Sequence, residues 1–266
     1  MSISAKDRQA LRALASQTAE LAASPRNQAL YADWMAYGAS KEPTRPMIRM
    51  EINTFEQDIL PALTRCEGAE ARAIENRMLR PIACFTLFAD DTLVPAYYPV
   101  FSHTHFTPFG LPVRKQETNG LGHHFLPYLH DLEADEHLLG ASEYGVDEDA
   151  AAAEARQAEE LFGDLLPVRR ISDCACCCPT QDIVHIMNLD DLYIAMMDDE
   201  ERFHALMRRL TDDYIAYFGM LEKGGHLRSA ARMQLLNQGT YCFADELPDD
   251  VAGATLDKLW LFMDSQ

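Results

Sequence analysis

Three features of the sequence predict an α/β fold with a parallel sheet. Short apolar runs of strand length recur along the chain, longer segments with helical periodicity separate them, and the two kinds alternate rather than cluster. No internal repeat interrupts that pattern.

The N-terminal stretch is read as helical. Over residues 5 to 23, Leu11, Leu14, Ala15 and Leu21 recur at helical spacing; Ser24-Pro25 stops the run and caps a second helix through Gly38. Residues 1 to 44 therefore form a helical extension, and residues 45 to 266 the main body. Lys41 to Pro46 is a loop, Met47 to Ile52 a short strand, and Pro61 to Arg80 a helix. Pro81 to Phe88 is the second strand, which delivers Asp90 and Asp91 to its own end. From Val100 to Asn119 the chain is rich in Pro, His, Thr and aromatics without a period, which predicts an irregular excursion; loops of that length are often functional. Ala150 to Leu161 is an Ala/Glu-rich helix, and Leu165 to Ile171 a third strand. The clearest helix runs from Asp198 to Lys223, with Phe203, Leu206, Met207, Leu210, Tyr214, Ile215 and Phe218 in register and Gly224-Gly225 ending it. Gln234 to Phe243 is a further strand, and Leu256 to Met263 another apolar run.

Composition narrows the function classes. The chain has 266 residues, 48% of them hydrophobic, enough for a sizeable core. A net charge of -19 argues against nucleic acid and anionic membranes, which are bound through basic patches. No apolar run approaches the roughly 20 residues that cross a bilayer, and no signal-peptide pattern opens the chain, so a cytoplasmic location is expected. The odd count of 7 cysteines, bunched at Cys174, Cys176, Cys177 and Cys178, suits reduced thiols better than a secreted disulfide framework.

Several residues are candidates for chemistry. Carboxylates at a strand end, here Asp90 and Asp91, can accept hydrogen bonds from a ligand or stabilise developing positive charge, although Asp is also a common turn residue. Alternation along a strand turns only one of the two toward a pocket. Glu51 lies at the end of the first predicted strand. The histidines His103, His105, His123, His124, His130 and His137 crowd one window, where a surface loop is the plainer reading than a metal site. Cys174 to Cys177 spell Cys-x-x-Cys, a redox pair or half a metal site, against the simpler reading of small buried side chains. The methionines Met187, Met196, Met197, Met207 and Met220 are expected as core filler, and the acidic run from Asp131 to Glu160 as a solvated face.

Phe88-Ala89-Asp90-Asp91-Thr92-Leu93-Val94-Pro95 resembles the strand motif F-S-D-I-L-V-V-P of the uroporphyrinogen decarboxylase superfamily, which includes cobalamin-dependent methyltransferases. Arg45-Pro46-Met47-Ile48-Arg49-Met50-Glu51 is similar to that family's R-P-V-W-L-M-R start, and Leu261-Phe262-Met263-Asp264-Ser265-Gln266 to its q-i-F-D-S-W strand. The resemblance implies a TIM-type (β/α)8 barrel, here incomplete at its C-terminal side. It implies Asp90 as the catalytic aspartate, with Asp91 its neighbour, and Arg45, Glu51 and Asp264 as substrate-binding positions. Glu51 and Phe55 stand where decarboxylases carry substrate-binding arginines, which points toward the methyltransferase-like branch. A corrinoid, a tetrapyrrole or a small methylated compound is then the expected ligand, and the zinc ligands of that branch would lie beyond this chain. The alternatives are a true uroporphyrinogen decarboxylase and an inactive half-barrel that buries its open sheet edge against another copy or a partner chain.

Overall fold

A computed structural model describes residues 3–39, 45–117, 122–172, 175–227, 253–258 and 261–263. The chain divides into two compact units. Among the described residues, the first holds 3–102 and 148–172, and the second the remainder.

The first unit is built on helices. Helix α1 (Ala5–Ala22) starts at Ser4, whose hydroxyl accepts the Asp7 N–H at 3.0 Å, and buries Leu11, Leu14, Ala15 and Ala22. It packs on α4 (Ala69–Ala83) and on α6 (Glu148–Phe162), so the expected N-terminal extension contributes to the unit's core. Helix α2 (Pro25–Ala39) follows after a short turn, and α3 (Glu56–Leu63) lies against α4. The loop between α3 and α4 is held by two buried carboxylates. Glu75 accepts the N–H groups of Arg65 and Cys66, both at 2.9 Å, and Asp7 accepts those of Glu67 and Gly68. The Glu67 N–H is the largest of the influences that hold the Asp7 carboxyl below its usual range. Burial pushes the neighbouring Cys66 thiol up to about 12, assisted by Glu75.

The stretch from Pro81 to Phe88, expected as a strand, is helical. Helix α4 runs through Pro81, and Cys84–Phe88 continue it as a π-helical turn that ends at Ala89 in the left-handed conformation (φ 52°). The apolar residues Ile74, Met78, Leu79, Ile82 and Phe85 keep the helical period across the proline, and all are buried. A short apolar run looks alike in either state, and here the preceding turns decide it. Met47 to Ile52 is also not a strand; it is extended without a ladder and enters a short 3-10 turn at Ile52.

Strands β1 (Tyr98–Phe101) and β6 (Val168–Ile171) form a parallel pair, with Tyr98 opposite Val168 and Phe101 opposite Ile171. Helix α6, immediately before β6, packs over both strands. Phe162 at its end is fully buried and meets the Tyr98 ring edge-on at 5.2 Å. Burying each such large side chain contributes about 1.5–3 kcal/mol.

The second unit holds short sheets and a helical layer. Strand β2 (Thr104–Thr107) pairs antiparallel with β5 (Glu143–Val146), and β3 (Lys115–Glu117) with β4 (His123–Phe125). Strands β2 and β3 lie within the Val100 to Asn119 excursion expected to be irregular, and their partners β5 and β4 come after it. A single helical turn, α5 (Leu132–Asp135), precedes β5. Strand β7 (Ala175–Cys177) pairs in parallel with β8 (Leu261–Met263), and between them come α7 (Pro179–Ile186), α8 (Leu189–Asp198) and α9 (Glu200–Lys223). Helix α9 lies where its periodicity predicted it and stops as expected, with Gly224 N–H bonded to Met220 O and Gly225 at φ 68°. Its buried face carries Leu206, Leu210, Tyr214, Tyr217 and Leu221. Phe106 of β2 stacks on Tyr214 at 4.4 Å and lies 5.2 Å from Tyr217.

Among the described residues the strands form four two-stranded sheets, two of them parallel. No described helix is long and apolar enough to cross a membrane. The strand expected at Gln234 to Phe243 lies outside the described residues.

Candidate functional site

Asp90 and Asp91 follow the left-handed Ala89, which turns the chain sharply out of the helix. Both are half-buried, and their carboxylates are used on the protein itself. Asp90 accepts the Met50 N–H at 2.6 Å and the Thr92 N–H at 2.9 Å. Asp91 accepts the Ile48 N–H at 2.7 Å and both terminal nitrogens of Arg45, at 3.0 and 3.1 Å. The Asp91 N–H in turn bonds Ile48 O at 2.8 Å. The two side chains thus accept N–H groups from alternate residues of the 45–51 segment, as the edge of a neighbouring strand would.

Charge reinforces this clamp. Arg45 also reaches Asp33 of α2 at 2.9 Å, and the two carboxylates, Asp91 first, hold its guanidinium more firmly protonated. Burial pushes the Asp91 carboxyl up, but the Arg45 bonds and the Ile48 N–H outweigh it and leave the group below its usual range. Helix α2 grips the other side. Arg26 donates to Phe85 O and Asp90 O at 2.6 and 3.0 Å, and Trp34 Nε1 donates to Asp91 O at 2.8 Å. Fully buried Asn27 accepts the Val94 N–H at 2.9 Å and donates to Val94 O at 3.1 Å. The structure therefore brings Arg45, Asp90 and Asp91 together. Glu51 is exposed at the end of the clamped segment, and Asp264 lies outside the described residues. Cys84, beneath the clamp, has its thiol pushed up by burial and then by Asp90.

One property of this region points outward. Ile48, Met50, Leu87 and Phe88 are large apolar side chains left exposed on the two segments that the aspartates tie together, and Phe55 is exposed at the start of α3. A contiguous exposed apolar patch is the kind of surface that binds a partner or ligand, whereas apolar residues exposed singly are ordinary.

The second unit has a thiol cluster at the end of β7. The Sγ atoms of Cys176 and Cys178 are 3.3 Å apart, while Cys177 has its thiol pushed up to about 11, by burial first and then by Asp182. Asp182 accepts the Tyr214 hydroxyl at 2.5 Å; burial and that carboxylate both raise the Tyr214 phenol. Cys174 lies outside the described residues. The described histidines do not converge: His130 Nδ1 meets Asp191 at 2.9 Å, and His137 Nδ1 the Ala134 carbonyl at 2.8 Å. Among the described residues no group of three or more His, Cys, Asp or Glu side chains is placed to hold a metal ion.

Sequence reasoning missed Arg26, Asn27, Asp33 and Trp34, all on α2 and all more than 40 residues before the aspartates they support or frame. The one local signal was the helix start at Ser24-Pro25, which fixes the face that α2 presents. Compared with family models, with curated proteins and with solved structures, the chain matches none.

Proposed function

We propose that the chain is a β/α protein of the uroporphyrinogen decarboxylase kind, nearer its corrinoid-dependent methyltransferases, and that it binds a corrinoid or a related tetrapyrrole beside the aspartate clamp. The observation that carries this reading is the exposed apolar surface of Ile48, Met50, Phe55, Leu87 and Phe88 next to Glu51. A flat macrocycle with an apolar face and a polar rim suits such a surface, and the missing arginines disfavour a ligand with many carboxylates. A bound corrinoid would supply the methyl carrier. This chain's own residues would supply contact and position: Phe88 and Met50 the apolar contact, Glu51 a rim acceptor, and Asp90 and Asp91 the positioning of residues 48 to 50.

Titration of the full chain with hydroxocobalamin, followed by the change in its visible absorbance, is expected to saturate. Glu51→Gln should weaken binding about tenfold, equivalent to about 1.4 kcal/mol, at an unchanged melting temperature. Absence of saturable binding, or unchanged affinity in both Glu51→Gln and Phe88→Ala, would remove the corrinoid reading.

A second reading is favoured by α8. Leu189, Tyr193, Met196 and Met197 recur at helical spacing and are exposed, Met197 at 83%, with Ile194 beside them. An apolar stripe of that kind suits a self-complementary contact with a second copy of the chain. Light scattering is then expected to give a dimer that Met197→Asp converts to monomer; a monomeric parent chain would end this reading.

A further inference from the structure

We propose that Cys176 and Cys178 form a reversible dithiol–disulfide pair that exchanges with small-molecule disulfides. Their sulfurs are 3.3 Å apart, and closing to the bonded distance of about 2.05 Å requires only a small rotation. The backbone explains the approach. In an extended strand, residues two apart point to one face with Cα atoms about 6.6 Å from each other, near the upper limit for a disulfide. Cys178 leaves the strand conformation at φ -123° and ψ 68°, bending the chain back at the N-terminal cap of α7. Tyr214 holds that bend through a hydrogen bond with the Cys178 backbone, and Asp182 holds the Tyr214 hydroxyl. Both sulfur-bearing residues are half-buried, so a small reagent can reach them. Cys177 between them is equally half-buried, but its desolvation and the nearby Asp182 push its thiol up and make it a poor nucleophile.

The exchange balances without a bound cofactor. One of the two thiols loses its proton and its sulfur attacks the small-molecule disulfide. The reagent's S–S bond breaks, a mixed disulfide forms, and one small thiol leaves carrying a proton. The second cysteine's sulfur then attacks the mixed disulfide and releases the second small thiol. Two protein thiols are oxidised and one reagent disulfide is reduced. A ring closed across a single intervening residue is strained, which makes the bond easy to reduce and suits it to exchange rather than to permanent cross-linking.

The test uses the reduced full chain treated with glutathione disulfide. Free thiols are blocked with one alkylating reagent, the chain is reduced, and newly released thiols take a second. Fragment-ion mass spectrometry is expected to place the second label on Cys176 and Cys178, with Cys177 carrying the first and two thiols lost overall. Cys176→Ser and Cys178→Ser should each retain one glutathione as a mixed disulfide, and Cys177→Ser should still close the bond. Second labels on Cys174 and Cys177, or an undiminished thiol count, would overturn the proposal. A failed corrinoid titration would leave it standing, because the two rest on different residues.

Discussion

Asn27→Ala is expected to destabilise the first unit by about 3 kcal/mol, since the fully buried side chain bonds both backbone groups of Val94 and also Ala22 O. Val94 is itself fully buried, so water cannot replace the lost partners. The Ala22 carbonyl keeps a second donor in Gln28 Nε2, which confines the damage to the segment after the aspartate pair. Asn27→Asp should be at least as harmful, because a carboxylate keeps the acceptor for Val94 N but loses the donor and buries a charge. Exposed Gln28→Ala should change stability by less than about 0.5 kcal/mol. Urea unfolding followed by circular dichroism measures all three. A loss below about 1 kcal/mol for Asn27→Ala would show that α2 does not anchor the clamp.

Phe162→Ala is expected to cost about 3–5 kcal/mol, the range for removing a buried ring from a core that closes only partly around the gap. The ring is fully buried, packs edge-on against Tyr98, and shares its core with Leu11, Leu161 and Leu166. Phe162→Leu keeps most of the volume and should cost less than about 1.5 kcal/mol. A second signature follows from Tyr98, whose phenol burial pushes up to about 12. Because the folded state favours its protonated form, this contribution is complete below the unfolded value of 10.0 and is lost as pH rises from there through about 12. Opening a gap beside the ring lets water in, so the alanine variant should titrate Tyr98 closer to 10.0 in an ultraviolet titration, and its stability should fall less steeply across that window. An unmoved titration would mean that the site collapses around the missing ring.

Much of the helical framework was legible because long segments accumulate periodicity. Helix α9 carries 24 residues of it and ends at a glycine pair whose conformational freedom the turn uses. Short apolar runs carry too little. Pro81 argued for a boundary, but the helix passes through it because its apolar face continues to Phe85. The aspartate pair was readable as two carboxylates after an apolar run, and the alternatives of turn residue and ligand contact followed from that. The residues that settle its geometry were not readable, since α2 meets the pair only in the folded chain. The thiols were no more readable. Motif spelling pointed to Cys174 with Cys177, whereas it is the unexpected strand at Ala175–Cys177 and the bend at Cys178 that bring the sulfurs of Cys176 and Cys178 to 3.3 Å.

The carboxylates of Asp90 and Asp91 also bear on aggregation. Residues 46 to 51 form no ladder and leave the apolar Ile48 and Met50 exposed, which is the makeup of a segment open to strand addition from another molecule. Two of its N–H groups already end on side chains of the same polypeptide, and acids so placed offer a newcomer no continuing ladder. The segment is therefore kept solitary by two residues outside it, and a change at either one frees a docking edge as well as loosening a loop.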